Sequence, residues 1–360
     1  MKAAATSEPS GGARSPGATV SAAPGRGRGG PALGAGLVLL VAVLLLIMWA
    51  SLLVGSGDVG AGDLLPGIFD PDLSDKGQLI LQEVRIPRTA AGLLAGVALG
   101  LAGTVMQGVA RNPLADPGVL GVNSGASAAV VFAISILGIS DPGHYIWFGF
   151  LGALVASVVV FGIGSMGREG ATPVKLALAG AATGAALLSL TTSMLLTDSK
   201  SYDQYRFWQV GSLTGRDAPV LWQALPFIAV GTVVALLLGP RLNALSLGDD
   251  LARGLGQRIG LARTACAVAV VLLCGAATVV AGPIAFLGLV VPHAARLFTG
   301  PDYRWVLPYS ALIAPALLLT ADIVGRVIAP PSEVQAGIVT AAIGAIPFVL
   351  LVRRRKLSEL

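Results

Sequence analysis

Few residues in this chain are of a type that does chemistry, and their spacing excludes most of it. His144 and His293, with Cys266 and Cys274, are too scattered to gather a set of metal ligands. No Ser, His and Asp grouping suggests a nucleophile. Lys2, Lys76, Lys175, Lys200 and Lys356 follow Met, Asp, Val, Ser and Arg. A phosphate-cradling loop needs its lysine directly after glycine, so this chain is not the nucleotide hydrolase. Cys266 and Cys274 share one apolar segment, and on a helix they would stand about 12 Å apart, beyond the reach of a disulfide. The sequence predicts no catalytic residue, no metal site and no cofactor.

The other polar residues form islands between apolar runs. In ARNPLADPG (110–118), Pro113 biases Asn112 out of a helix and Pro117 suits a first helical turn. Asp116 can cap the helix that follows, where its carboxylate meets the positive helix end. Arg111, Asn112, Pro113, Asp116 and Pro117 read as a rigid elbow, the alternative being a direct part in gating or in contact with a partner. In LSLGDDLARGLGQRIG (245–260), Leu247, Leu251 and Leu255 recur at every fourth position beside Asp249, Asp250 and Arg253. That pattern predicts an amphipathic helix, suited to a partner's groove or to a lipid surface. Asn123, Ser124, Ser127, Thr191, Thr192 and Ser193 lie within apolar runs, where such groups either pack between helices or line a pathway. Asp322 and Arg326, one helical turn apart, can neutralise each other.

The elements that must position these islands follow from composition. Of 360 residues, 54% are hydrophobic and only 12% charged, against about 25% charged in soluble domains. The bilayer is the indicated solvent, and without alternating strands only helices can satisfy the backbone there. Residues 1–31, rich in Gly, Ala, Ser and Pro with Lys2, Arg14, Arg26 and Arg28, read as a disordered basic tail. The apolar run after it, Leu33 to Leu53, is too long for a signal-peptide core. Ten spans are predicted: 33–53, 89–110, 118–138, 145–165, 173–196, 220–239, 262–281, 283–299, 305–325 and 334–352. The fold class is an all-α polytopic membrane protein.

Orientation follows from basic residues in short loops. With both termini in the cytoplasm, the outside holds only Lys76, Arg85, Arg88, Lys200, Arg206, Arg216 and Arg326 of the 24 lysines and arginines. The net charge of +5 thus reflects membrane insertion, and no nucleic-acid surface is predicted. Gly92, Gly96 and Gly100, Gly121 and Gly125, and Gly180 and Gly184 repeat at four-residue spacing, which lets helices approach closely in lipid. An ion-coupled carrier would bury carboxylates at mid-membrane, and only Asp322 comes near. The energy for any transport is expected from another subunit.

One stretch is long and specific: VRIPRTAAGLLAGVALGLAGTVMQGVARNPLADPGVLGVNSGAS (84–127). It resembles the permease subunits of ABC importers for iron-siderophore complexes, haem and cobalamin. FWQVGSL (207–213), LGDDLARGLG (247–256), AGPIAFLGLVVPHAARLFTGPDYRWVLP (281–308), LLLTADIVGRV (317–327) and GIVTAAIGAIPFVLLVRR (337–354) agree. Two stretches depart from that family's pattern. Glu333, Val334, Gln335, Ala336 and Gly337 stand where it usually has Glu-Leu-Pro-x-Gly, and Gly344 to Phe348 is one residue longer than its Gly-x-Pro-Phe-Phe.

The resemblance implies a ten-helix permease domain over 32–356 in a bacterial cytoplasmic membrane. It implies partners too: a second permease, identical or homologous, two cytoplasmic ATPase subunits and an external solute-binding protein. The expected cargo is an iron-siderophore complex, with haem or cobalamin as alternatives and an ion-coupled secondary transporter as the rival class. By the same resemblance, Arg85, Arg88 and Arg326 face outward and engage acidic residues of the binding protein, bidentate pairing being the attraction. Snorkelling to the interface is the simpler reading of those arginines. The inside loop 240–262 is the implied coupling region, with Asp249, Leu251, Arg253 and Leu255 in contact with the ATPase.

Overall fold

A computed structural model describes residues 30–346, except 56–58, 61, 63, 73, 140, 168–171, 198, 216–217 and 331. The expected N-terminal tail therefore lies outside the described residues, save the last two of its positions. Helix α1 (Gly30–Leu53) is followed by two short helices, α2 (Leu64–Phe69) and α3 (Lys76–Ile80). Through a π-helical turn (Leu81–Arg85), α3 runs on into α4 (Ile86–Ala110), making one rod over Lys76–Ala110. A 3-10 turn (Pro117–Leu120) leads to α5 (Val122–Ser135), α6 (Pro142–Ser165), α7 (Pro173–Leu195), α8 (Ser199–Gln209) and α9 (Ala218–Leu237). The connection from α9 to α12 (Ile259–Ala281) is built of α10 (Gly239–Ser246) and α11 (Asp249–Gly254). Then come α13 (Leu287–Thr299), α14 (Tyr303–Val327) and α15 (Ala336–Ile346).

Each of the ten expected spans meets a helix. Seven helices among the described residues are long and apolar enough to cross a membrane, while α5, α13 and α15 are shorter. The second span departs most from expectation, starting at Lys76 instead of residue 89. Asp75 is the reason: its Oδ1 accepts from the backbone N–H groups of Gly77 (2.8 Å) and Gln78 (3.0 Å), capping a polar first turn that hydropathy passes over.

The rod is the centre of the molecule, its apolar stretch 78% buried against 11% for α1. It packs chiefly on α14, α12 and α13. The glycine stripe makes the closest of these contacts. A Cβ at Gly96 would overlap the Pro315 backbone, one at Gly100 the Ser310 carbonyl, and one at Gly103 the Gly288 carbonyl. Gly125 and Gly152 press on each other in the same way where α5 crosses α6. Cys266 and Cys274 are free thiols buried in α12.

Candidate functional site

The two ends of the rod carry the polar residues that matter. Toward its start, where α3 passes into α4, the π-helical turn and Pro87 set Arg85 and Arg88 on consecutive turns, and α14 brings Asp322 and Arg326 alongside. Asp322, fully buried, accepts from Arg88 Nε (3.1 and 3.0 Å) and Nη2 (2.8 Å) and from Arg326 Nε (3.0 Å), with a further Arg326 Nη2 contact. Arg88 Nη1 donates to Glu333 Oε2 at 2.7 Å. Arg326 also donates to the carbonyls of Ser51 (2.7 Å) and Val54 (2.9 Å) and to Ser51 Oγ (3.1 Å), and Arg85 donates to the Leu52 carbonyl (2.8 Å). The cluster thereby ties the end of α1 to α4 and α14.

This geometry corrects the expectation that Arg85, Arg88 and Arg326 stand outward on a rim. They are 3%, 6% and 6% exposed. Guanidinium groups in apolar surroundings are costly unless paired and hydrogen-bonded; Asp322 with Glu333 supplies the pairing for Arg88 and Arg326, and Arg85 is hydrogen-bonded to the Leu52 carbonyl. Glu333, its side chain 26% exposed, is the more open of the two carboxylates. Sequence reasoning matched Asp322 only to its helical neighbour Arg326 and gave Glu333 no role. The available signal was that Glu333 is an isolated acid in an apolar stretch close to an arginine-bearing motif.

At the other end the rod stops on Arg111, whose φ of 47° is left-handed. Asn112 Oδ1 accepts from the Leu114 N–H (2.9 Å), and Asp116 Oδ1 accepts from the Gly118 N–H (2.7 Å). Asp116 thus caps the 3-10 turn started by Pro117; α5 itself begins from Gly121, so the expected cap acts one turn earlier than predicted. Burial pushes the Asp116 carboxyl above the ordinary carboxylate range, the Gly118 hydrogen bond opposing it. The expected single amphipathic helix is in fact two, because Gly248 at φ +110° breaks it. Leu247, Leu251 and Leu255 are nevertheless exposed, at 58%, 62% and 63%. Asp249 pairs with Arg111 of the elbow and with Arg263 of α12 at 3.0 Å, and Arg253 pairs with Asp250 at 2.9 Å. Asn243 Nδ2 donates to Asp302 Oδ1 (2.5 Å) and its Oδ1 accepts from the Tyr303 N–H (2.9 Å), fixing α10 to the start of α14.

The expected pathway residues divide. Asn123, Ser124 and Ser127 are half-buried on α5, with the Thr278 hydroxyl 3.5 Å from Asn123 Oδ1. Thr192 is exposed on α7. Thr191 is a correction: it is buried, and its hydroxyl donates to the Leu187 carbonyl at 2.7 Å, the usual refuge of a hydroxyl in an apolar helix. The hydroxyls of Ser189, Thr192 and Ser193 do the same toward the carbonyls of Ala185, Leu188 and Ser189. Among the described residues no group of His, Cys, Asp and Glu gathers to hold a metal ion.

Comparison with known proteins adds the decisive observation: the FecCD transport family matches residues 43–354. The chain belongs to the FecCD transport family. Among its relatives, the ferric enterobactin transport system permease protein FepD of Escherichia coli is 46% identical over 320 residues, covering 89% of this chain and 94% of FepD. The Fe(3+)-citrate import system permease protein YfmD of Bacillus subtilis is 40% identical over 321 residues, covering 89% and 95%. A solved transporter assigned to the metal-chelate ABC type, in an inward-facing conformation, superposes with a TM-score of 0.78 at 26% identity, covering 89% of this chain and 99% of that one. This FecCD chain is accordingly a multi-pass membrane permease, a transport subunit of the ABC-importer kind. The departures at Glu333–Gly337 and Gly344–Phe348 fall within the matched range.

Proposed function

We propose that this permease is a ten-span subunit that carries a ferric-siderophore complex inward across a bacterial cytoplasmic membrane, paired with a second permease subunit. Two cytoplasmic ATPase subunits would supply the energy and an external solute-binding protein would deliver the cargo. The observation that carries this reading is the two-ended rod: α3–α4 has a buried arginine cluster at one end and an exposed leucine-bearing loop at the other. The likeness to ferric enterobactin and Fe(3+)-citrate permeases supports a ferric chelate as cargo.

Each end suits one partner. Leu251 and Leu255, flanked by Asp249 and Arg253, offer the ATPase an apolar ridge of the kind that seats in a groove. At the arginine end, a carboxylate of the binding protein reaches Arg88 by taking the place of Glu333. One buried ion pair is then exchanged for another, which spares most of the desolvation cost. Asn123, Ser124, Ser127 and Thr192 serve as polar wall positions of the pathway.

The test is uptake of radiolabelled ferric siderophores, haem and cobalamin by cells lacking this chain, against the same cells complemented. Selective loss of a ferric siderophore is the expected result. Loss of haem or cobalamin uptake instead would move the cargo assignment, and no loss would overturn it. Co-purification of a P-loop ATPase in detergent separates this reading from an ion-coupled carrier.

A further inference from the structure

The elbow after α4 and the α10–α11 loop meet at one carboxylate. Asp249, the first residue of α11, is held from one side by Arg111, where α4 ends, and from the other by Arg263, one turn into α12. Helix α11 has little else to fasten it. It is six residues long, and Ala252 alone among them is buried, in a small cluster with Ala244, Leu245, Ile259 and Ala262. Arg111 reaches Asp249 from a left-handed backbone at φ 47°, a conformation uncommon for a residue other than glycine. Its side chain and that of Asp249 remain about a third exposed, at 33% and 28%, so the contact can break and re-form.

We propose that Asp249 is the joint through which motion of the α10–α11 loop is delivered to the rod. On this view the elbow is more than a stop between two helices. Arg111 is the handle by which the loop grips α4, and Arg263 the handle on α12, so both deeply buried spans move with α11. Because the far end of the rod holds Arg85 and Arg88, an event at the loop and an event at the arginine cluster bias the same rigid element. Such coupling is reciprocal. Asp249 and Arg111 act here as positioning residues. The inference rests on the reading that the α10–α11 loop meets the ATPase.

The experiment uses the whole transporter in lipid nanodiscs, permease with its ATPase and binding protein. It measures the ratio of ATP hydrolysis with and without added chelate-free binding protein. Asp249→Asn and Arg111→Gln should each lower this ratio at least about fivefold, the lower bound of ordinary coupling between sites. The double variant should be no worse than Asp249→Asn alone, since that change already removes the Arg111 contact together with the Arg263 one. Asp249→Glu and Arg111→Lys, which keep the charges, should retain most of the stimulation. Full stimulation in both single variants, or additive losses in the double, overturns the joint. Should Asp249→Asn fail to assemble, the Arg111→Gln and Arg111→Lys pair decides alone, being on the rod and outside the loop. Leu255→Asp tests the underlying reading separately. If it leaves stimulation intact, the ATPase seats elsewhere; if it abolishes stimulation while the Asp249 and Arg111 variants keep theirs, only the joint fails.

Discussion

Asp322 accepts hydrogen bonds from two buried guanidinium groups, and replacing it by asparagine would take the carboxylate from Arg326 and leave Arg88 with Glu333 alone. Breaking a buried pair from one side costs about 3–5 kcal/mol, so Asp322→Asn should sharply lower the thermal stability of the detergent-solubilised chain. Glu333→Gln should behave differently. That side chain is partly open, so the fold should stand while the binding protein docks more tightly, read by surface-immobilised binding. An unchanged affinity would remove Glu333 as the group that a partner displaces. The sequence revealed these arginines as a set through their motifs, but it hid their partners. Arg88 lies 234 residues from Asp322 and 245 from Glu333, and a single sequence carries no record of which helix ends meet. Chain-local features were easier: Asn112, Pro113, Asp116 and Pro117 act within a few residues, and their roles as breaker, cap and first-turn residue were legible.

Among elements, the continuous apolar runs located every long helix, because the bilayer imposes a length and an oiliness that tolerate few exceptions. What it missed came from polar chemistry at helix ends. Asp75 begins the rod about three and a half turns before the hydropathy does, and Gly248 splits a pattern that reads as continuous. The glycine stripe predicted close approach and the structure supplies the opposing surfaces, which leads to a test. Gly96→Ala should cost about 1–3 kcal/mol of stability through overpacking against Pro315, whereas Gly260→Ala, with open space around it, should cost little. Unfolding midpoints of the two variants in the same detergent check this. Equal midpoints would mean that α14 yields to α4 more readily than the backbone contact implies.

Over the whole molecule, the arginine cluster and the α10–α11 loop lie at opposite ends of the rod and are expected on opposite sides of the membrane. Gly254→Cys, at an open position on α11, should react with a membrane-impermeant maleimide only in inside-out vesicles. Glu333→Cys should react only in right-side-out vesicles. Cys266 and Cys274, being buried, give a low background in both. Labelling of both engineered positions from one side would refute the orientation drawn from basic loop residues.

Helix α1 has the highest mean hydropathy of the seven long helices, 2.8, and is the least buried. Two of its polar ties come early, from Arg85 to the Leu52 carbonyl and between the Ser51 and Thr89 hydroxyls, but the rest are made late in the sequence: Tyr309 donates to the Leu33 carbonyl, and Arg326 to the carbonyls of Ser51 and Val54. At about 5–20 residues per second of synthesis, α1 must wait on the order of ten to fifty seconds after its own translation before those anchors exist. Arg85 and Arg88 face the same delay before Asp322 is made. Extreme oiliness in α1 thus reads as provision for time spent in lipid with few of its partners yet made.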